Sequence, residues 1–218
     1  MKTRSQKLAV LAMLSALAYV LMFFLRIPVM PVPPYLKYDP KDTVIVIAGF
    51  LFGPLSSFAV SAVVSVIEMF TVSDTGYWGC LMNIVSTCSF ACAAAAIYRQ
   101  KRTLAGAAVG LAAGALLSTG VMLLWNYLVL PLYMGVPREF ITGLLIPYFL
   151  PFNLLKNGLN AGFAVMLYRP VRLALGRTSL LPVSAGRKGR GISIPALAAA
   201  AFVVVTCILL AMAWNGVI

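Results

Sequence analysis

Uncharged apolar runs, each about twenty residues long, dominate this sequence and most constrain its fold. The first, from Leu8 to Leu25, spans ~27 Å as a helix, which is about the thickness of the hydrocarbon core of a bilayer. With 62% hydrophobic and 10% charged residues among 218, the chain falls outside the range of soluble domains. A β-barrel would instead show alternating segments of ~10 residues. The runs therefore predict an all-α integral membrane protein that crosses the bilayer several times.

The positive charges indicate how the chain is oriented in the membrane. The formal net charge is +12, and most of the cations fall into three clusters. The clusters are Lys2, Arg4 and Lys7; Arg99, Lys101 and Arg102; and Arg169, Arg172, Arg177, Arg187, Lys188 and Arg190. Because Lys and Arg accumulate on the cytoplasmic side of membrane proteins, the clusters predict the inner face and a cytoplasmic N-terminus. They explain the net charge without a nucleic-acid partner.

The dipeptide Gly53-Pro54 divides the next apolar run, Thr43 to Ile67, because the residue before a proline is pushed out of the helical region. A single span would place the first two basic clusters on opposite sides of the membrane, whereas two helices place both inside. We therefore expect a short second helix, Thr43–Phe52. At ~15 Å it is too short to cross alone, so neighbouring helices must cover it.

Four further spans complete the predicted architecture: Cys80–Tyr98, Leu104–Trp125, Phe140–Tyr168 and Ile192–Trp214. In the span Phe140–Tyr168, the outer part of the helix is expected to break at Pro147 and Pro151. The organisation predicted is a six-helix bundle (1–168), a basic cytoplasmic linker (169–191) and an additional C-terminal transmembrane helix (192–218). A regulatory and an assembly role are both open for that last helix.

Small residues mark two helix surfaces for close packing. Gly106, Gly110 and Gly114 recur every fourth residue in the fifth span, a ridge that favours tight contact with another helix of the bundle. On the first span Ala12 and Ala16 form a similar stripe. The helix that packs on that alanine stripe is either part of this chain or part of a partner protein.

A polar helical face is the strongest indication of a binding site. After Pro151, the residues Asn153, Lys156, Asn157 and Asn160 follow the spacing i, i+3, i+4 and i+7, so all four share one face. An ionisable group inside a membrane costs about 2.5–3.5 kcal/mol, and such a lysine usually faces a cavity or a ligand. Alternatively, the asparagines join helices and Lys156 reaches towards an interface.

Further candidates belong to the same outward-facing pocket. Asn83 and Asn126 lie near the outer ends of their spans, and Leu36 and Asp39 lie in the proline-rich segment 26–42. That segment, with Tyr35 and Tyr38, forms either a lid or an ordinary surface loop. Amides donate and accept hydrogen bonds, lysine only donates, and aromatic rings supply flat walls. This combination suits a planar heterocycle with an imide-like edge, either a flavin or another vitamin.

The sequence contains little catalytic machinery. It has no G-x-x-x-x-G-K-[S/T] motif for ATP and no histidine. The acids are expected in or beside loops, so neither acid–base catalysis nor a buried carboxylate relay is predicted. Cys88 and Cys92 are one helical turn apart but lack further metal ligands nearby. We expect a binding unit that is not an enzyme, holds no metal and contains no motor.

Several motifs together resemble the RibU-type, riboflavin-binding S components of energy-coupling factor (ECF) transporters over residues 8–170. The segments that carry the resemblance are LKYDPKD at 36–42, FLFGPL at 50–55, Asn126-Tyr127 with Pro131 and Tyr133, and Pro151-Phe152-Asn153 followed by Lys156. The sequence departs from the family at Lys41, where a serine is common, and in the extension 169–218. The resemblance implies a fold of six helices with a short second one.

The resemblance also implies a function: capture of riboflavin, as transported substrate and not as cofactor, by a multi-pass protein of the cell membrane. Asn126, Asn153 and Lys156 would contact the isoalloxazine ring, and Leu36 with its neighbours would close over it. Ala12 and Ala16 would dock on a transmembrane T component that two ATP-binding subunits energise. The alternatives are an S component for another vitamin or heterocyclic precursor, a ligand-free membrane assembly protein and a small membrane enzyme.

Overall fold

The fold is a bundle of long helices whose order follows the apolar runs. The computed structural model describes residues 4–29, 36–73, 75–177 and 194–216. The long helices are α1 (Arg4–Phe24), α2 (Lys41–Phe52), α3 (Pro54–Thr71), α4 (Gly76–Gln100) and α5 (Leu104–Leu128). After two short helices, α6 (Leu130–Met134) and α7 (Arg138–Leu144), come a π-helical turn (Leu145–Phe149), α8 (Leu150–Arg177) and α9 (Ile194–Trp214). Between α1 and α2, the strands β1 (Ile27–Pro28) and β2 (Lys37–Tyr38) pair antiparallel.

The predicted fold class, six helices with a short second one and an additional C-terminal helix, is confirmed. Within the described ranges, α1, α3, α4, α5 and α9 are long and apolar enough to cross a membrane. Helix α8 has 28 residues and carries polar side chains in its middle, and α2 has only 12.

Helix α2 is the centre of the bundle. All of its residues from Lys41 to Phe50 are buried, and α1, α3, α4 and α8 pack around it. A helix that is covered on every side needs no apolar stripe and no full membrane length. The expectation that neighbouring helices cover this short helix is confirmed.

The turn at Gly53-Pro54 is also confirmed. Gly53 has a φ of +96°, a backbone conformation that glycine adopts without the steric cost of a Cβ. Pro54 is the first residue of α3, where its missing N–H breaks no helical hydrogen bond. The turn lets α3 run back alongside α2, and Ser57 donates a hydrogen bond to the Ile45 carbonyl at 3.0 Å.

The glycine ridge of α5 packs against α4. A Cβ added at Gly110 would lie 2.7 Å from the Ala94 carbonyl oxygen, and one at Gly114 would lie 2.5 Å from that of Phe90. Because the neighbours are backbone atoms that cannot rotate away, only glycine allows this approach. The ridge is a contact within the bundle, as the sequence predicts.

Three expectations about local structure were wrong. Pro147 and Pro151 do not interrupt the helical backbone. Pro147 lies in the π-helical turn, and Pro151 lies in the first turn of α8, where proline is tolerated. The linker expected to begin at Arg169 begins later, since α8 continues to Arg177 with Pro170 inside it; residues 178–191 lie outside the described ranges. Glu68, expected in a loop, is a buried residue of α3.

Candidate functional site

A cavity of about 360 Å³ opens between the helix ends at one end of the bundle. Its walls come from α3, α4, α5, α6, α8 and the strap, by which we mean residues 26–29 and 36–40 between α1 and α2. The structure places all six predicted ligand-contacting residues in these walls: Leu36, Asp39, Asn83, Asn126, Asn153 and Lys156. Residues that are up to 120 positions apart in the sequence (36 to 156) therefore share one space.

Two amide side chains have hydrogen-bonding capacity left for a ligand. Asn126, in the last turns of α5, is 5% exposed and makes no side-chain hydrogen bond within the described ranges. Asn153 donates to the Phe149 carbonyl of the π-helical turn at 2.8 Å, which fixes the amide and leaves its Oδ1 without a partner among the described residues. The two amides thus offer both donors and acceptors to the cavity.

The polar face of α8 has two different uses along its length. Asn157 donates to the Ala115 carbonyl and to Thr119 Oγ1 on α5, both at 3.3 Å. Asn160 Oδ1 accepts hydrogen bonds from Tyr38 at 3.2 Å and Thr43 at 3.0 Å. The first half of the face, Asn153 and Lys156, lines the cavity, whereas the second half joins helices.

This division also corrects the interpretation of Tyr38. It was expected in a lid or a surface loop, but its side chain is buried against α8 by the hydrogen bond to Asn160. Its partner in the expected lid, Tyr35, lies outside the described residues. Leu36 and Asp39 are the members of that group whose side chains line the cavity.

Lys156 is held in place by a buried carboxylate. Its Nζ lies 3.3 Å from Asp42 Oδ2 at the start of α2, and Asp42 Oδ1 accepts a hydrogen bond from Thr87 at 2.6 Å. Asp42 is 1% and Lys156 8% exposed. The ion pair balances the ammonium charge without covering the side chain, so Lys156 reaches the cavity as an oriented donor.

A second group of charges lies beside the first. Lys41 Nζ donates to Glu68 Oε2 and lies 3.7 Å from Asp39 Oδ2. Asn83 Nδ2 donates to Glu68 Oε2 at 2.9 Å, and Arg26 lies 3.9 Å from Glu68 Oε1. The expectation that the acids do not cluster was therefore wrong, because the fold brings together Asp39, Asp42 and Glu68 with Arg26, Lys41 and Lys156.

Asp39 is the least satisfied member of this charged cluster. Burial opposes its ionisation, but Lys41, Lys156 and Arg26 hold its pKa below the ordinary value. Asp39 Oδ1 is buried without a hydrogen-bond partner in the described part of the chain. Three cations and three carboxylates balance one another in the cluster; four of these six groups line the cavity, together with Lys37.

Several cavity residues were not predicted: Arg26, Glu68, Trp78 and Trp125. A signal for Glu68 is present in the sequence, because Ser57, Ser61, Ser65 and Glu68 lie at spacings of 4, 4 and 3 and so share one face of a helix. All four are buried in α3. The two tryptophans, at the ends of α4 and α5, add flat apolar surface to the walls.

The alanine stripe of α1 lies on a different surface. Val10, Leu14 and Ala18 form the buried face of this helix, whereas Ala12 and Ala16 are exposed. Packing within the bundle, one of the two interpretations open from the sequence, therefore does not explain these two alanines.

The chain is similar to known proteins over most of its length. Residues 6–172 match the family model described as "ECF transporter, substrate-specific component". The chain is 31% identical over 173 residues to the riboflavin transporter RibU of Staphylococcus aureus (strain TCH60), covering 76% of this chain and 90% of the relative. It is 31% identical over 161 residues to the riboflavin transporter FmnP of Bacillus subtilis (strain 168), covering 70% and 84%.

A solved structure is similar over nearly the same region. It is described as "Structure and mechanism of the S component of a bacterial ECF transporter", and it superposes with a TM-score of 0.69 at 30% sequence identity. The similarity covers 79% of this chain and 99% of that one. The match to the family model ends before α9.

Proposed function

This chain belongs to the substrate-specific (S) components of ECF transporters, and from that membership we propose that it captures riboflavin outside the cell for import. The family is a transporter component and not an enzyme. The observation that carries the proposal is the cavity, where Asn126, Asn153 and Lys156 converge. Two relatives named as riboflavin transporters support the choice of ligand.

The cavity chemistry fits an isoalloxazine ring. One edge of that ring alternates carbonyl oxygens with an N–H, and the amides of Asn126 and Asn153 together with the Lys156 ammonium supply complementary groups. Trp78, Trp125 and Phe152 provide apolar walls for the ring faces. The volume of about 360 Å³ is within the usual range for small-molecule sites, roughly 300–1,000 Å³. Leu36 and Asp39 close the site from the strap, and Asn83 contacts the ligand from α4.

The charge balance of the cavity favours a neutral flavin over a phosphorylated one. Asp39 and Glu68 line the cavity, and their cationic partners are already engaged in ion pairs. A phosphate group would bring about two negative charges beside these carboxylates, of which the lining residue Lys37 balances one, whereas the hydroxyl groups of riboflavin can donate hydrogen bonds to the carboxylates. We therefore assign riboflavin, and not FMN, as the preferred ligand.

Energy for import comes from other subunits. The basic clusters support a cytoplasmic N-terminus, and the exposed Ala12 and Ala16 form a surface on which a helix of the T component docks closely. The T component in turn binds two ATP-binding subunits. Ala16→Leu is expected to bind riboflavin normally but to lose co-purification with these partners; retained co-purification would refute the docking surface.

Titration of the detergent-purified protein with riboflavin, followed by quenching of flavin fluorescence, tests the capture role. Asn126→Ala removes a ligand contact that has no internal hydrogen bond, so it should weaken binding by about 1–3 kcal/mol without lowering stability. Asn157→Ala is the matched control: it removes an amide that joins α8 to α5 and should lower stability with little effect on binding. FMN should compete weakly.

Failure of folded wild-type protein to bind riboflavin would refute the proposal that riboflavin is the ligand. A panel of other vitamins would then distinguish another S-component substrate from a protein without a ligand. Equal loss of affinity in the two asparagine variants would refute the division of α8 and α5 amides into ligand-binding and structural groups.

A further inference from the structure

Helix α9 lies beyond the segment that matches the family model, yet it packs closely against α8, which lines the cavity. A Cβ at Gly162 would lie 2.5 Å from Val204 Cγ2 and 3.2 Å from the Ala200 carbonyl oxygen. A Cβ at Gly158 would lie 3.0 Å from Cys207 Sγ. The two glycines, four residues apart, form the kind of groove in which membrane helices approach closely. Helix α9 is therefore packed onto the same helix that presents Asn153 and Lys156.

The far end of α9 reaches the strap. Asn215 Nδ2 donates to the Val29 carbonyl oxygen at 2.8 Å and also to Ala211 of its own helix at 2.8 Å. Val29 is only 6% exposed and shares a buried apolar cluster with Leu36, Tyr38 and Val204. The residue that follows α9 thus contacts the strap through a hydrogen bond to its backbone, and α9 and the strap contribute side chains to one buried apolar cluster.

The strap has little internal support of its own. In the described part of the strap the strands pair at Ile27 with Tyr38 and at Pro28 with Lys37, and so short a ladder is marginal in isolation. It nevertheless supplies Arg26, Leu36, Lys37 and Asp39 to the cavity wall. Contacts from other helices must therefore hold this wall in position.

We infer that Asn215 is a positioning residue for the substrate site, and that α9 holds the strap closed over the cavity and slows release of the bound ligand. Loss of the bond to Val29 lowers the free energy needed to open the strap locally. Opening exposes the cavity, so ligand dissociation accelerates and association does not slow. The kinetic part rests on the proposed function; the positioning of the strap does not.

Asn215→Asp in the full-length protein is the sharpest variant, because it keeps the shape of the side chain and replaces the N–H donor by an anionic oxygen that repels the Val29 carbonyl oxygen. We expect riboflavin to dissociate at least about twofold faster in stopped-flow fluorescence, because the hydrogen bonds to both Val29 and Ala211 are lost, with no slowing of association. Thr206→Ala, on the exposed face of α9, is the control and should leave both rates unchanged. An unchanged dissociation rate in Asn215→Asp would overturn the inference.

A second pair of variants tests the packing of α9 against α8. Gly162→Val should push α9 away at Val204 and accelerate dissociation, whereas Gly120→Val, where a Cβ meets nothing within 4 Å, should not. Equal dissociation rates in these two variants would contradict a role for α9.

Hydrogen exchange separates this inference from the choice of ligand. In the ligand-free protein, Asn215→Asp should speed amide exchange in the strap, residues 26–29 and 36–40, and leave α4 and α5 unchanged. If riboflavin does not bind but the strap exchanges faster, the proposed ligand fails and the positioning role stands. If exchange in the strap is unchanged, the positioning role fails whatever the ligand.

Discussion

The two ends of the bundle are held together by different interactions. At the cavity end, side chains do the joining: Lys41, Asp42, Glu68 and Lys156 connect α2, α3 and α8 through ion pairs. Towards the other end, backbones approach closely at the glycines of α5, and the rings of Phe50, Tyr98 and Tyr168 pack with centroids 4.5–6.0 Å apart.

This difference follows from what each end must leave open. A cavity for a ligand removes the space in which apolar side chains interdigitate, so the helices around it are linked by polar contacts across the gap. Where no space is needed, close packing holds the helices. Stability should therefore depend on side-chain charge more than on side-chain volume at the cavity end. At the packed end it should depend on volume more than on charge.

The largest effect is expected at Lys41, which is 1% exposed. Lys41→Met leaves Glu68 and Asp39 without their closest cation and should lower the free energy of unfolding by about 3–5 kcal/mol, the usual cost of breaking a buried ion pair. Denaturation in mild detergent, followed by circular dichroism, measures this loss. Adding Glu68→Gln should restore part of the stability, because it removes the uncompensated charge. A loss below about 1 kcal/mol would show that charge does not hold the cavity end together.

An intermediate effect is expected in the α4–α5 contact. Gly114→Ala places a methyl group 2.5 Å from the Phe90 carbonyl oxygen, so the two helices must separate, at a cost of about 1–3 kcal/mol. Gly120→Ala meets open space and should be neutral or stabilise by up to about 1 kcal/mol through higher helix propensity. Thermal denaturation of both variants tests the comparison, and similar melting temperatures would contradict close packing at this end.

The smallest effect is expected in the aromatic group, where the Tyr98 and Tyr168 hydroxyls lie 3.0 Å apart. Tyr98→Phe should cost about 0.5–1.5 kcal/mol, since it removes one hydrogen bond and retains the ring packing. The double variant with Tyr168→Phe should cost little more, because both partners of the same bond are then gone. Additive losses in the unfolding free energies would mean that the hydroxyls act separately.

The sequence alone was informative wherever one stretch of chain carried the signal. The charge rule together with Gly53-Pro54 predicted the short second helix, and helical spacing placed Asn153 and Lys156 on one polar face. The motifs from Leu36 to Lys156 resemble those of the ECF family and indicated it from the sequence. Proline misled at Pro147, because a π-helical turn accommodates it without a break.

The sequence by itself thus determined the helices, their order and the polar face that would line a cavity. Only the tertiary structure decided the partners: Glu68 with Lys41, Asp42 with Lys156, and Asn215 with Val29, at separations of 27, 114 and 186 residues. Periodicity reports which face of an element is polar, because it depends on residues within a few turns. It does not report which distant group meets that face, since packing of the whole bundle sets that distance.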